Sequence, residues 1–192
     1  TKIMSEESIV LLGCKHCGKT TQGKEISRHL GVPFFDTDTV IEELSGMPVR
    51  SLYIEKGVSE FMRIEEEACR KIAADNKRTT IVVATGGGIC DNAPALAELR
   101  AVGKFVFLRL DIEYSVSRIT AKAQKNSDGS FSNLPGYVLE KKPASISEIH
   151  KILMEKYQDR FRIYNSIADV TVDLKNAPKE SNFAEICRAL DL

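Results

Sequence analysis

Residues 13–20 read Gly-Cys-Lys-His-Cys-Gly-Lys-Thr, and this stretch decides the fold. It fits the spacing G-x-x-x-x-G-K-[ST], in which each fixed residue has a physical task. Gly13 and Gly18 let the backbone turn tightly, so that successive N–H groups converge on an anion. Lys19 supplies a cation for the β- and γ-phosphates, and the Thr20 hydroxyl suits a magnesium ion. The flanks agree. Ser8–Leu12 (SIVLL) reads as a buried strand, and Lys19–Leu30 (KTTQGKEISRHL) as a helix whose N-terminus faces the anion. Strand, loop and helix in this order predict a nucleotide site, with Lys15, His16, Cys17 and Thr21 beside the phosphates.

Outward from the loop, further apolar runs have strand character: Pro33–Phe35, Thr80–Ala84, Lys104–Leu110 and Ala168–Leu174. Helical patterns lie between them, at 19–30, 37–45, 48–56, 59–75, 92–101, 112–122, 145–165 and 182–190. Near-continuous apolar strands alternating with helices predict an α/β fold, a parallel sheet covered on both faces. Ligands of such sheets bind at the carboxyl ends of the strands. Besides the loop, two polar or glycine-rich segments occupy such ends: Asp36–Asp38 and Thr85–Gly88.

Asp36-Thr37-Asp38 follows the apolar pair Phe34-Phe35. If the backbone stays extended, the two carboxylates point to one side. One then suits Mg²⁺ and the other a substrate hydroxyl, while Asp36 or Thr37 is also placed to cap the next helix. Thr85-Gly86-Gly87-Gly88 follows the strand TIVVA. Three glycines in a row suit neither strand nor helix interior and allow a ligand close to the backbone. Gln124–Gly136 (QKNSDGSFSNLPG) is the one loop-like biased stretch, and its position predicts a lid.

Composition narrows the partners. The chain has 192 residues, most simply one domain, with Lys+Arg and Asp+Glu both at 27. That balance predicts neither nucleic acid nor an acidic membrane as partner. No apolar run reaches the roughly 18 residues of a spanning helix. The polar stretch Thr1–Glu7 has no signal-peptide core, which favours the cytoplasm, and the chain is expected to be a monomer. Five cysteines suit reduced thiols. Cys14 and Cys17 form a C-x-x-C without the second ligand pair that zinc requires. Lys15, Lys19 and a helix N-terminus are expected to lower a thiol pKa there, which leaves redox sensitivity open as a side effect.

The set GCKHCGKT, FFDTDTVIEELSG, EFMRIEE, VVATGGG and RFRIYNSIADVTVD, in this order and spacing over about residues 8–190, resembles the shikimate kinase family. The resemblance implies a nucleoside-monophosphate-kinase-like fold in three layers, with a five-stranded parallel sheet in order 2-3-1-4-5. It implies an acceptor-binding region at about 37–75 and a lid at about 123–140. It also implies ATP- and Mg²⁺-dependent phosphorylation of the shikimate 3-hydroxyl. On this resemblance Lys19 and the loop amides bind phosphates, and Thr20 and Asp36 serve Mg²⁺. Asp38 binds the acceptor hydroxyls and takes the proton, and Gly86, Gly87 and Gly88 line the acceptor pocket. Arg160 pairs with the acceptor carboxylate, Arg118 stacks on the adenine, and the segment near Pro178 covers its other face.

Two departures bear on the acceptor. Met62 stands where the family has a carboxylate-binding arginine. Arg63 is its neighbour and substitutes only if the helix turns or bulges, since one residue rotates a side chain by about 100°. Between Arg118 and Arg160 there is no arginine at all, so Lys122, Lys125, Lys141 and Lys142 are the cations expected near the lid. Three readings follow: a shikimate kinase with compensating cations, a kinase for a related polyol or hydroxy-acid, or a nucleotide-binding relative without transfer.

Overall fold

The structure, a computed structural model, describes residues 7–192. Most of the polar N-terminal stretch, residues 1–6, lies outside the described residues. The chain runs β1 (Ser8–Leu12), α1 (Lys19–Leu30), β2 (Phe34–Asp36), α2 (Thr37–Ser45), α3 (Val49–Lys56), α4 (Val58–Asp75) and β3 (Val82–Ala84). It continues with a 3-10 turn at Ile89–Asp91, α5 (Ala93–Arg100), β4 (Gly103–Arg109) and α6 (Ile112–Thr120). A short pair, β5 (Gln124–Lys125) and β6 (Phe131–Ser132), precedes α7 (Gly136–Leu139), α8 (Ile146–Ile167), β7 (Val170–Asp173) and α9 (Lys179–Leu190).

Five strands form one parallel sheet in the order β2-β3-β1-β4-β7. With β5 and β6 set aside, this is the expected 2-3-1-4-5. Alternation along β1 divides the core between the two faces. Val10 and Leu12 join Val83, Phe105, Phe107 and residues of α2, α4, α5 and α8 on one side. Ile9 and Leu11 join Val82, Val106, Leu108, Ile26 of α1 and Ile186 of α9 on the other. The central strands are buried throughout, which is why their sequences are continuous rather than alternating apolar runs.

The predicted helices all form, with ends shifted by up to three residues. The lid segment differs from the loop reading. Lys125 pairs with Phe131 and Gln124 with Ser132 in an antiparallel hairpin. Asn126 and Asp128 close its turn through bonds to Ser130. Phe131, Leu134 and Val138 are buried in the main core. Three apolar anchors among polar residues were enough to order a stretch whose composition suggested a loop.

Candidate active site

The phosphate loop leaves β1 at Leu12 and enters α1 at Lys19. Gly18 has φ 97°, a left-handed conformation that L side chains rarely adopt. At Gly13, with φ 155°, a Cβ would lie 2.7 Å from Cys17 Sγ and 2.8 Å from the Leu108 carbonyl oxygen. Gly13 therefore shapes the loop from beneath, while Lys15 to Gln22 line a cleft of about 490 Å³. Lys19 is 7% exposed, and its ammonium donates to the carbonyls of Gly13 at 2.7 Å and Cys14 at 2.9 Å. Cys14 is pushed up to about 12 by burial, which outweighs the nearby Lys19 charge. The redox reading thus fails at Cys14: its thiol is hidden under the loop rather than activated by it. His16 is held down at about 4, by burial first and then by the Lys122 charge.

The far wall of the cleft comes from α6 and the segment before α9. Arg118 lies 5.5 Å from the Tyr114 ring, and its Nη1 approaches the His16 carbonyl oxygen at 3.4 Å. Tyr114 Oη donates to Asn176 Oδ1 at 2.7 Å, tying the two walls together. Pro178 caps α9 but does not line the cleft; Lys175, Asn176, Ala177 and Lys179 around it do. Tyr114, Asn176 and Asn182 are lining residues that sequence reasoning missed. They carry no motif, and only the tertiary fold brings them to the loop.

Asp36 and Asp38 both reach the site, but not along an extended strand. Asp36 ends β2 and caps α2, its Oδ1 accepting the Asp38 N–H at 3.0 Å. Asp38 is already helical, because Asp in the first turn is favoured by the exposed N–H groups and helix dipole. Asp36 Oδ2 accepts from Thr20 Oγ1 at 2.7 Å. The helix turn thus sends one carboxylate to the loop hydroxyl and the other toward the glycines. Burial first, then the Asp36 charge, raises the Asp38 carboxyl above its ordinary range.

A second pocket, of about 380 Å³, opens on the other side of Lys15, Asp38, Gly86 and Gly87, which line both. None of Gly86, Gly87 and Gly88 has a positive φ. Their value is space. A Cβ at Gly86 would lie 3.0 Å from Asp38 Oδ1, at Gly87 2.7 Å from the Lys15 nitrogen, and at Gly88 2.8 Å from Arg160 Nη2. Arg160 is 11% exposed, with Nη2 3.3 Å from Asp91 Oδ2 and the guanidinium 5.3 Å from the Tyr137 ring. Its Nε and the Tyr137 hydroxyl are buried without a hydrogen-bond partner. Glu65, 2% exposed, accepts from Asn92 Nδ2 at 2.9 Å and is raised to about 7, chiefly by burial.

Arg63 is not in this pocket. Helix α4 turns Phe61 and Glu65 inward, one helical turn apart, and carries Arg63 outward. There its guanidinium bonds Glu60 at 2.8 Å and Glu67 at 3.2 Å, with 59% of the side chain exposed. No bulge brings it round. Met62 does not line the pocket either; its carbonyl accepts from Asn92 Nδ2 at 2.9 Å. Of the four lid lysines, Lys122 faces a cleft next to the phosphate loop, and Lys125, Lys141 and Lys142 do not. Arg50, Tyr53, Tyr137 and Glu65 line this second pocket and were missed.

A larger depression, of about 1020 Å³, lies at the opposite ends of the strands. Its Arg70 and Arg100 are already paired with Glu98 and Asp169, and no motif borders it. Among the described residues no group of three or more His, Cys, Asp or Glu is arranged to hold a metal. Among the described residues no helix is long and apolar enough to cross a membrane.

Against known proteins, the family described as Shikimate kinase matches residues 15–191. Shikimate kinase 2 of Dickeya chrysanthemi is 32% identical over 172 residues, 90% of each chain. The shikimate kinase of Desulforudis audaxviator is 39% identical over 118 residues, 62% of this chain and 61% of its own. The shikimate kinase structure from Bacteroides thetaiotaomicron superposes with a TM-score of 0.73 at 25% identity, covering 97% of this chain and 99% of that one. The loop, the paired aspartates, the three glycines and a match over nearly the whole length make this chain a member of the shikimate kinase family.

Proposed function

We propose that this chain transfers the γ-phosphoryl group of ATP to the 3-hydroxyl of shikimate, giving shikimate 3-phosphate and ADP. The observation that carries this reading is the shared wall. Lys15, Asp38, Gly86 and Gly87 border both the nucleotide cleft and the second pocket, so the two sites adjoin across a single wall of residues.

Lys19 and the loop amides bind and neutralise the phosphates, acting on charge that shifts during transfer. Asp38 orients the acceptor hydroxyl and receives its proton. Its raised pKa makes it a better base than an ordinary surface aspartate. Arg160, buried and with an unpartnered Nε, suits an acceptor carboxylate, as does the nearby Tyr137 hydroxyl. Thr20 and Asp36 fit Mg²⁺, which commonly takes only one or two protein oxygens beside phosphate and water. When bound, the ion offsets charge on the phosphates. Pro135, Gly136 and Tyr137 place the lid segment on the pocket wall, where it excludes water. The reading takes the enzyme as a cytoplasmic monomer with a small-molecule substrate.

The test is ADP release with shikimate, quinate and small sugar acids. Saturable turnover with shikimate, reduced far more in kcat than in ATP affinity by Asp38→Asn, is the expected result. Turnover only with another acceptor would refute the choice of shikimate.

A further inference from the structure

Arg50 stands in the first turn of α3, where a cation works against the helix dipole. Its partners are uncharged: Nη2 donates to the Leu134 carbonyl oxygen at 2.8 Å, and Nη1 approaches Asn133 Oδ1 at 3.4 Å. Arg63, Arg70, Arg100 and Arg109, by contrast, are all bound to carboxylates. Two contacts leave part of the five-donor guanidinium fork unused.

Its neighbours are cations as well. A cleft of about 230 Å³ beside the acceptor pocket is lined by Lys15, His16, Arg50 and Lys122, together with Asn133 and Leu134, and by no acid. The Arg50 charge is the largest electrostatic contribution lowering the Lys15 ammonium, after burial. The acids nearest the cluster, Asp38 and Glu42, line the neighbouring pocket rather than this cleft, and only Asp38 offsets the Lys15 charge in part. Three cations facing one cleft repel each other, and an anion arriving there relieves that repulsion. Arg50 borders both this cleft and the acceptor pocket, and Lys15 borders these and the nucleotide cleft. Arg50 and Lys122 do not line the nucleotide cleft themselves; Lys15 joins their cluster to it.

We propose that Arg50 is a catalytic residue whose guanidinium, braced by the lid carbonyl of Leu134, grips the phosphoryl oxygens in transit between nucleotide and acceptor. The inference rests on the kinase reading above. The bond from the γ-phosphorus to the ADP oxygen breaks and a bond to the acceptor oxygen forms, with that hydroxyl's proton going to Asp38. Arg50 exchanges no proton or bond; it stabilises the charge. A lysine at this position supplies charge without the planar two-point grip.

The test compares wild type, Arg50→Ala and Arg50→Lys for binding of ADP and Mg²⁺ alone, and with aluminium fluoride, a mimic of the group in transfer. The alanine variant should bind ADP within twofold of wild type. It should lose about 10²-fold of the affinity gained from the fluoride, and as much in kcat, as for other single transition-state donors. The lysine variant should fall between, and it keeps the test open if alanine disturbs folding. Equal losses for ADP and the mimic, a raised acceptor KM at unchanged kcat, no effect, or a wild type that gains nothing from the fluoride would each overturn the proposal. Fluoride-dependent binding that needs Arg50, together with no turnover of shikimate, would uphold Arg50 and refute shikimate as acceptor.

Discussion

Glu65 makes the stability of this fold depend on pH in an unusual direction. The carboxyl is 2% exposed, and burial raises it from 4.5 to about 7, despite the hydrogen bond from Asn92. Its folded pKa is above its unfolded one, so the folded state holds the proton more tightly. Its destabilising contribution is absent below about pH 4.5, grows as pH rises and is complete above about pH 7. Each tenfold change in proton affinity corresponds to about 1.4 kcal/mol, so the full difference is about 3 kcal/mol. Glu65→Gln keeps an oxygen for Asn92 and removes the charge. Relative to wild type, it should be more stable by about 3 kcal/mol at pH 8 and by less than about 1 kcal/mol at pH 5. In a chain of this size that is about 6–12 °C in Tm at pH 8. Denaturant unfolding of both proteins at several pH values measures it. A difference that stays constant with pH, or that favours wild type at pH 8, would refute the assignment.

Three further outcomes follow from the site. Lys19→Ala should lower turnover by at least about 10²-fold while leaving the thermal transition in place, read from ADP release and circular dichroism. Gly88→Ala puts a Cβ 2.8 Å from Arg160 Nη2 with no backbone strain, so it should displace the guanidinium and raise acceptor KM about tenfold, at a stability cost of about 1–3 kcal/mol. Arg63→Ala should leave acceptor KM and kcat within twofold, because Arg63 is exposed and spent on Glu60 and Glu67; a tenfold rise in KM would mean that α4 repositions during catalysis.

The nucleotide half of the site was legible because its information is local. Gly13 to Thr20 runs without interruption from the loop into the first turn of α1, so its amides, lysine and hydroxyl lie together through local geometry alone. The central strands β1 and β3 were equally plain, since burial on both faces leaves no polar alternation to misread. The lid was harder. Its composition is that of a loop, and only the placement of Phe131, Leu134 and Val138 against the core turns it into a hairpin and a short helix. The paired aspartates were found for a partly wrong reason. Thr37 opens a helix rather than extending the strand, and the cap at Asp36 is what separates the two carboxylates.

The acceptor half resists a sequence reading because it is assembled from distant segments and decided by rotation. On α4 the face toward the pocket is set by Phe61 and Glu65, so Arg63 is lost to the outside although it adjoins the motif position held by Met62. Proximity in sequence was the wrong measure; position around the helix was the right one. Arg50 shows the converse. It belongs to no motif, and its bond to Leu134 spans 84 residues. An arginine-free lid is therefore not a cation-free junction: the guanidinium comes from α3 and meets the lid at its backbone, where side-chain identity in the lid leaves no trace of the contact. A departure from a motif deletes a side chain at one position, but the charge requirement belongs to a point in space. The cations that meet it must be sought among all elements bordering that point, which here are the phosphate loop, α3 and the turn after α6.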